Sequence, residues 1–233
     1  ADMYRFFKRA FDLTAAILAL IITSPLWLIT VIGTEISDPG PVFYKARRIG
    51  YRGREFRMYK FRSMRVAKTE TEKSEASFKA DTDRIFPFGA FIRKLKIDEL
   101  PQLLNIISGD MAIVGPRPAS TDQVEIMREG KYAVANTVRP GLTGPAALYD
   151  YIYGDSVEDP ADYEKLVLPA RRELEAYYPL HMGAGFDLKI ILWTVECIFA
   201  SVFGRKPDKI FAKLTEYAET EKLSETEEYI NVG

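Results

Sequence analysis

From Leu13 to Thr34 the chain runs through 22 residues without a charge, LTAAILALIITSPLWLITVIGT. As a straight helix this stretch would reach roughly 33 Å, enough to cross a bilayer. Pro25 lies near its middle and removes the hydrogen bond to the Ile21 carbonyl, which the neighbouring Ser24 hydroxyl can take instead. Arg5, Lys8 and Arg9 precede the stretch and Lys45, Arg47 and Arg48 follow it. The positive-inside rule therefore asks for both ends on the cytoplasmic side. The pattern predicts a helix that dips into the membrane, bends at the break formed by Ser24 and Pro25, and returns; a kinked spanning helix is the alternative. No small-residue cleavage pattern follows, so a signal peptide is not favoured.

Beyond a turn at SDPGP, alternation predicts strands over 42–48 and 56–61 around a turn at Gly50 to Gly53. Residues 65–84 are polar and read as a surface loop or exposed helix. Helices follow over 86–96 and 99–108, the second ended by Gly109, then a short strand at MAIV and a helix over 121–136. VRPGLTG reads as a turn-rich loop and 161–177 as a helix. Asp187, Lys189 and Glu196 interrupt the apolar run 186–203, which makes it amphipathic, lying in a membrane interface or on the core. A last exposed helix is expected over 207–228, with Ile210, Leu214 and Tyr217 on one face. The fold class is α+β and mainly helical: a re-entrant N-terminal membrane helix, a small basic β-hairpin and amphipathic interfacial helices around a single catalytic domain. The chain divides into the membrane helix hairpin (1–36), the catalytic domain seated on the membrane (37–204) and an acidic C-terminal extension (205–233).

Charge changes this picture more by placement than by total. The 233 residues carry 32 Lys and Arg against 33 Asp and Glu. Ten of the basic residues fall within 43–68 against the single acid Glu55, while 215–233 hold six glutamates against one lysine. The basic block asks for an anionic partner: phosphates, acidic lipid headgroups or nucleic acid. Cys197 and His181 are each the only residue of their type. That removes a disulfide framework, a thiolate metal site and any mechanism needing two imidazoles. No Gly-rich phosphate loop is present.

Within LKIDELPQLL, Asp98 and Glu99 stand side by side at the mouth of an apolar helix. Acids there can serve the helix start, since its positive end favours carboxylates and Pro101 suits a first turn. They can also be a working pair. KFRSM (60–64), IDELPQLLNIISGDMAIVGPRP (97–118), RPGLTG (139–144) and FDLKIILWTV (186–195) together resemble, in this order, the bacterial sugar transferases, the monotopic polyprenyl-phosphate phosphoglycosyl transferases. The resemblance covers roughly residues 4 to 200 and favours the working pair.

The resemblance implies an enzyme on the cytoplasmic face of the bacterial inner membrane, monotopic, its helix broken at Ser-Pro. It implies transfer of a phosphosugar from a UDP-sugar to polyprenyl (undecaprenyl) phosphate with release of UMP and a need for Mg²⁺, opening glycoconjugate synthesis. A diphosphate repels an attacking anion, so its site needs positive charge and a positioned nucleophile. By resemblance and position, Lys60, Arg62, Arg93, Arg117 and Arg139 are expected on the phosphates. Asp98 is expected as an ionised nucleophile that forms an aspartyl phosphosugar and as a metal ligand. Glu99 is open between metal partner, orienter and base. The implied partners are the UDP-sugar, the lipid phosphate and membrane phospholipids, with no nucleic acid; the oligomeric state stays open, a homo-oligomer among the options. Many relatives have a small hydroxyl residue in place of Lys96 and a Gln-containing segment in place of Pro145-Ala146-Ala147, which leaves the sugar unassigned. The rival reading is a membrane-tethered basic module for acidic lipid or nucleic acid.

Overall fold

The computed structural model describes residues 2–66, 84–121, 124–157 and 159–230. The chain is mainly helical with small sheets and divides into two units, Ala1–Arg48 with Glu55–Met111 and Ile49–Arg54 with Ala112–Gly233.

The first unit opens with helix α1 (Asp2–Ser37), which contains Pro25. The Ser24 hydroxyl donates to the Ile21 carbonyl at 2.8 Å, filling the place of the N–H that proline lacks. Both ends of α1 are docked while its middle is bare. Asp12 and Ala16 are buried near one end and Thr30 and Thr34 near the other, whereas Ile21 and Ile22 are exposed, as are Ser24 and Pro25. Leu26, Trp27 and Val31 pack on a small core of Phe61, Ile92 and Ile97, with the Trp27 and Phe61 rings edge to face at 5.1 Å. Each such buried ring or aliphatic chain contributes about 2 kcal/mol by leaving water. A Cβ at Gly33 would strike the Phe88 ring, so glycine lets α1 seat there.

Strands β1 (Phe43–Ile49) and β2 (Glu55–Phe61) form the expected hairpin. Helices α2 (Pro87–Lys94) and α3 (Gln102–Ser108) follow. Most of the polar stretch, 67–83, lies outside the described residues. Arg9, expected only as a charged flank, caps the far end of α3: its guanidinium donates to the carbonyls of Ile106 at 2.7 Å and Ile107 at 3.2 Å. These are among the last carbonyls of a helix, which have no partner inside it. Asn105 is fully buried and joins α3 to β2, accepting from the Tyr59 N–H at 2.9 Å and donating to the Arg57 carbonyl at 2.8 Å. Replacing Asn105 with leucine keeps the volume and orphans both backbone groups. The expected cost is about 2 kcal/mol of stability, read as a lowered urea midpoint, with Asn105→Asp losing more because it buries a carboxylate whose second oxygen faces the Arg57 carbonyl instead of donating to it.

The second unit is built on a parallel pair, β3 (Ala112–Val114) and β4 (Gly141–Thr143), with Ala112 opposite Gly141 and Val114 opposite Thr143. RPGLTG thus supplies a strand as well as a loop. The helix expected over 121–136 is instead a short α4 (Val124–Arg128) and a 3₁₀ stretch, Gly130–Thr137. Gly130 stands between them at φ 58°, outside the helical range. Helix α5 (Pro145–Ile152) was not expected; its start carries proline in the first turn. A π-helical turn (Tyr163–Val167) leads into α6 (Leu168–His181), followed by α7 (Ala184–Val202) and α8 (Asp208–Ile230).

Val114, Leu148, Tyr149, Leu174, Tyr178 and Ile190 form the centre of the second core. Ile210, Leu214 and Ala218 join it and Tyr217 packs against it, so the apolar face expected on the last helix is the face that docks α8 here. Asp187, the charge that interrupts α7, is buried with its carboxylate 2.7 Å from the Tyr178 hydroxyl. Leu188, Leu192, Val195 and Phe199 form an exposed stripe on α7 at helical spacing.

Candidate active site

Asp98 and Glu99 lie in a 3₁₀ turn, Ile97–Glu99, wedged between α2 and α3. The turn is made by Lys96, whose backbone is left-handed at φ 56°, an uncommon conformation for a residue with a side chain. The Lys96 N–H reaches the Arg93 carbonyl at 3.0 Å and its own carbonyl accepts from Glu99 at 3.2 Å. Ile97 anchors the turn in the small core. Neither acid caps a helix: the N-cap positions are Lys96 and Pro101, and neither start has a side-chain cap. Both acids lie in the first turn of this segment, but no capping hydrogen bond ties either of them to a helix start.

Asp98 is 4% exposed, and its Oδ1 has no hydrogen-bond partner among the described residues. Burial pushes its pKa above the usual carboxylate value, Lys60 pulls it down, Glu99 raises it, and Arg93 and Lys96 lower it. The expectation of an Asp98 that ionises readily is thus corrected in direction: loss of water outweighs the cations. Glu99 is held by Lys60 of β2, Nζ to Oε1 2.9 Å, with both side chains half-buried. Lys60, Arg93 and the two acids form one cluster inside the first unit, and Lys96 adds a cation that the sequence reading passed over as a mere departure.

Arg62 is not part of this cluster. Its Nε donates to the Pro41 carbonyl at 2.6 Å, and its two Nη groups are spent on the Asp38 carboxylate and the Asp38 carbonyl. It is a buried clamp for the segment leaving α1, the stretch SDPGP that the sequence offered only as a turn.

In the second unit, Arg117 and Arg139 sit on segments laced together: the Gly141 N–H donates to the Pro116 carbonyl at 2.8 Å and the Gly115 N–H to the Thr143 carbonyl at 2.9 Å. A Cβ at Gly115 or Gly141 would strike the other's backbone, so these glycines allow the close approach. Arg117 is 40% exposed at its side chain, with Nη1 3.6 Å from Asp150 Oδ2. Arg139 lies over the Tyr51 ring at 5.5 Å.

The first unit offers a hard cation the free Oδ1 of Asp98 beside Glu99. Among the described residues no three His, Cys, Asp or Glu gather as a complete cage. One or two carboxylates completed by phosphate oxygens and water is the donor set that suits Mg²⁺.

Residues 3–201 match the pattern that defines the family described as bacterial sugar transferase. This chain belongs to the bacterial sugar transferase family. The resemblance carried by the DELPQ and GPRP motifs is thereby established for most of the chain. Its relatives include an uncharacterized sugar transferase, EpsL, of Bacillus subtilis, 38% identical over 83% of this chain and 88% of that protein. The UDP-N-acetylgalactosamine-undecaprenyl-phosphate N-acetylgalactosaminephosphotransferase of Aeromonas hydrophila is 36% identical over 88% of this chain. The UDP-glucose:undecaprenyl-phosphate glucose-1-phosphate transferase of Xanthomonas campestris is 37% identical over 84% of it. The family member described here spans 46% and 38% of the latter two proteins' lengths.

Proposed function

We propose that this protein is a phosphoglycosyl transferase that moves a phosphosugar from a UDP-sugar to polyprenyl phosphate through an aspartyl phosphosugar on Asp98. The observation that carries the reading is Asp98 itself: a buried carboxylate with a free oxygen, ringed by cations, in a motif shared with a family whose members are named for this reaction. The same burial that raises its pKa strips its water, which leaves the ionised oxygen a better nucleophile.

In the first half-reaction an Asp98 oxygen attacks the phosphorus that bears the sugar. The new O–P bond forms as the anhydride bond breaks, and UMP leaves with the bridging oxygen. In the second, an oxygen of the lipid phosphate attacks the same phosphorus, the aspartyl–phosphate bond breaks, and the lipid diphosphate sugar forms with Asp98 restored. No net proton is required in either step. Lys60 holds Glu99 and offsets the charge beside Asp98, while Arg93, Arg117 and Arg139 meet the donor's phosphates. Asp98 and Glu99 would hold Mg²⁺, which would supply neutralising charge for the diphosphate.

The acceptor's phosphate lies at headgroup height, so the site must too. Three features support a helix α1 that enters and leaves on the cytoplasmic side of the inner membrane: docked ends, an exposed apex at Ser24-Pro25, and the hydroxyl that replaces the lost backbone bond there. The exposed stripe of α7 suits a helix resting in the interface. Purified protein given a panel of UDP-sugars, Mg²⁺ and polyprenyl phosphate should release UMP with at least one of them. Release with none, alongside retention on anionic vesicles or nucleic acid, would favour the basic binding module.

A further inference from the structure

Arg117 stands at both ends of a closed circuit of contacts in the second unit. Its carbonyl accepts from Arg128 Nη2 at 2.8 Å. Arg128 pairs through Nη1 with the buried Glu175. Glu175 Oε1 is 3.5 Å from Arg171 Nε, and Arg171 Nη1 donates to the Tyr163 hydroxyl at 2.8 Å. With that lone pair occupied, Tyr163 turns its own proton to Asp150 Oδ1 at 2.6 Å. Asp150 Oδ2 then faces the Arg117 guanidinium at 3.6 Å.

Three local features keep the circuit closed. The π-helical turn that begins at Tyr163 places this ring where a regular helix would not, the kind of insertion that gathers at working sites. Gly154 leaves the room: a Cβ there would collide with Asp150 Oδ1. Burial holds the Tyr163 pKa up, to about 12, so the hydroxyl remains a donor at neutral pH.

The circuit holds three arginines against two carboxylates, one positive charge in excess. Arg128, Arg171, Asp150 and Glu175 are buried, and among the charged groups of the circuit only Arg117 opens to solvent. The uncompensated charge is thus presented at the open end of Arg117, already oriented. A freely rotating arginine loses rotamer entropy when it binds an anion, and one held at carbonyl and guanidinium loses less. Asp150 sits on α5.

We propose that Asp150, steadied by Tyr163, is a positioning residue that holds the Arg117 guanidinium ready for the diphosphate of the nucleotide-sugar donor. This rests on the reading that Arg117 meets the donor phosphates. The test is a double-mutant cycle on binding of UDP, a nucleoside diphosphate without the sugar, to the full-length protein by titration calorimetry. Asp150→Asn is expected to weaken UDP about tenfold and Arg117→Ala more than tenfold, with no further loss when the two are combined, the mark of residues acting as one unit. Tyr163→Phe, which removes one hydroxyl from an intact fold, is expected to weaken UDP about threefold in native protein and not at all in Arg117→Ala. Losses from Asp150→Asn or Tyr163→Phe that multiply fully with Arg117→Ala would overturn the positioning role in favour of general scaffolding. Unchanged UDP binding in Arg117→Ala would overturn it together with the reading of Arg117, and no UDP binding by native protein would count against the proposed function as a whole.

Discussion

Asp98→Asn is expected to abolish turnover, by about a thousandfold or more, while leaving the protein folded and no less stable to heat. The amide keeps the shape of the carboxylate but has no charge to attack phosphorus. The stability half of the expectation follows from burial. Asp98 has its pKa raised by desolvation first, against the pull of Lys60. The unfolded carboxyl releases its proton at lower pH than the folded one, so through that window the folded state binds more protons and stability falls as pH rises. At neutral pH the ionised Asp98 therefore costs folding free energy, and the neutral amide removes that cost. Activity and melting temperature measured on the same preparation check both halves. A residue serving the fold gives the opposite pattern, near-normal turnover with a lowered melting temperature.

Replacing Ser24 and Pro25 together with leucine is expected to straighten α1 and cut lipid-dependent turnover by about tenfold or more, since a regular backbone bond to Ile21 returns and the break disappears. Residues 9 and 38 would then stand roughly 43 Å apart at 1.5 Å per residue. In the native chain both are clamped to the same unit, Arg9 on α3 and Asp38 on Arg62. A helix that crosses the bilayer is expected to give up the Arg9 clamp. Cysteines placed singly at Met3 and Ile36, with Cys197 replaced, read the outcome through an impermeant thiol reagent added outside intact cells. Both positions should be protected in the native background, and Met3 should become reactive in the leucine pair. Labelling of Met3 in the native background would refute the re-entrant path.

The sequence made the bond from the Ser24 hydroxyl to the Ile21 carbonyl legible, because proline's missing N–H is a local fact. It also made the hairpin and the helices α2, α3, α6, α7 and α8 legible, because alternation and helical spacing are local too, whereas α5 and the strand in RPGLTG were not. What it hid depends on partners far along the chain. Arg62 looks like any other cation of the basic hairpin until Asp38 is folded beside it. Asp98 reads as ionised by its neighbours in sequence, yet its titration is governed by how much water the fold removes. The left-handed backbone at Lys96 and the glycine at 130 each cut a helix shorter than its apolar spacing suggested. Asp150 carries no motif at all: its significance comes from Tyr163 and Arg117, residues brought to it by the π-helical turn and the loop after β3.

The proposed mechanism needs a covalent bond to Asp98, and intact-protein mass spectrometry reads it most directly. Protein mixed with an active UDP-sugar and Mg²⁺, without lipid, should release one UMP per active site and gain the mass of one phosphosugar, carried on the peptide containing Asp98. UMP release only when polyprenyl phosphate is present, or a phosphosugar on any other residue, would contradict the account and favour direct transfer between donor and lipid.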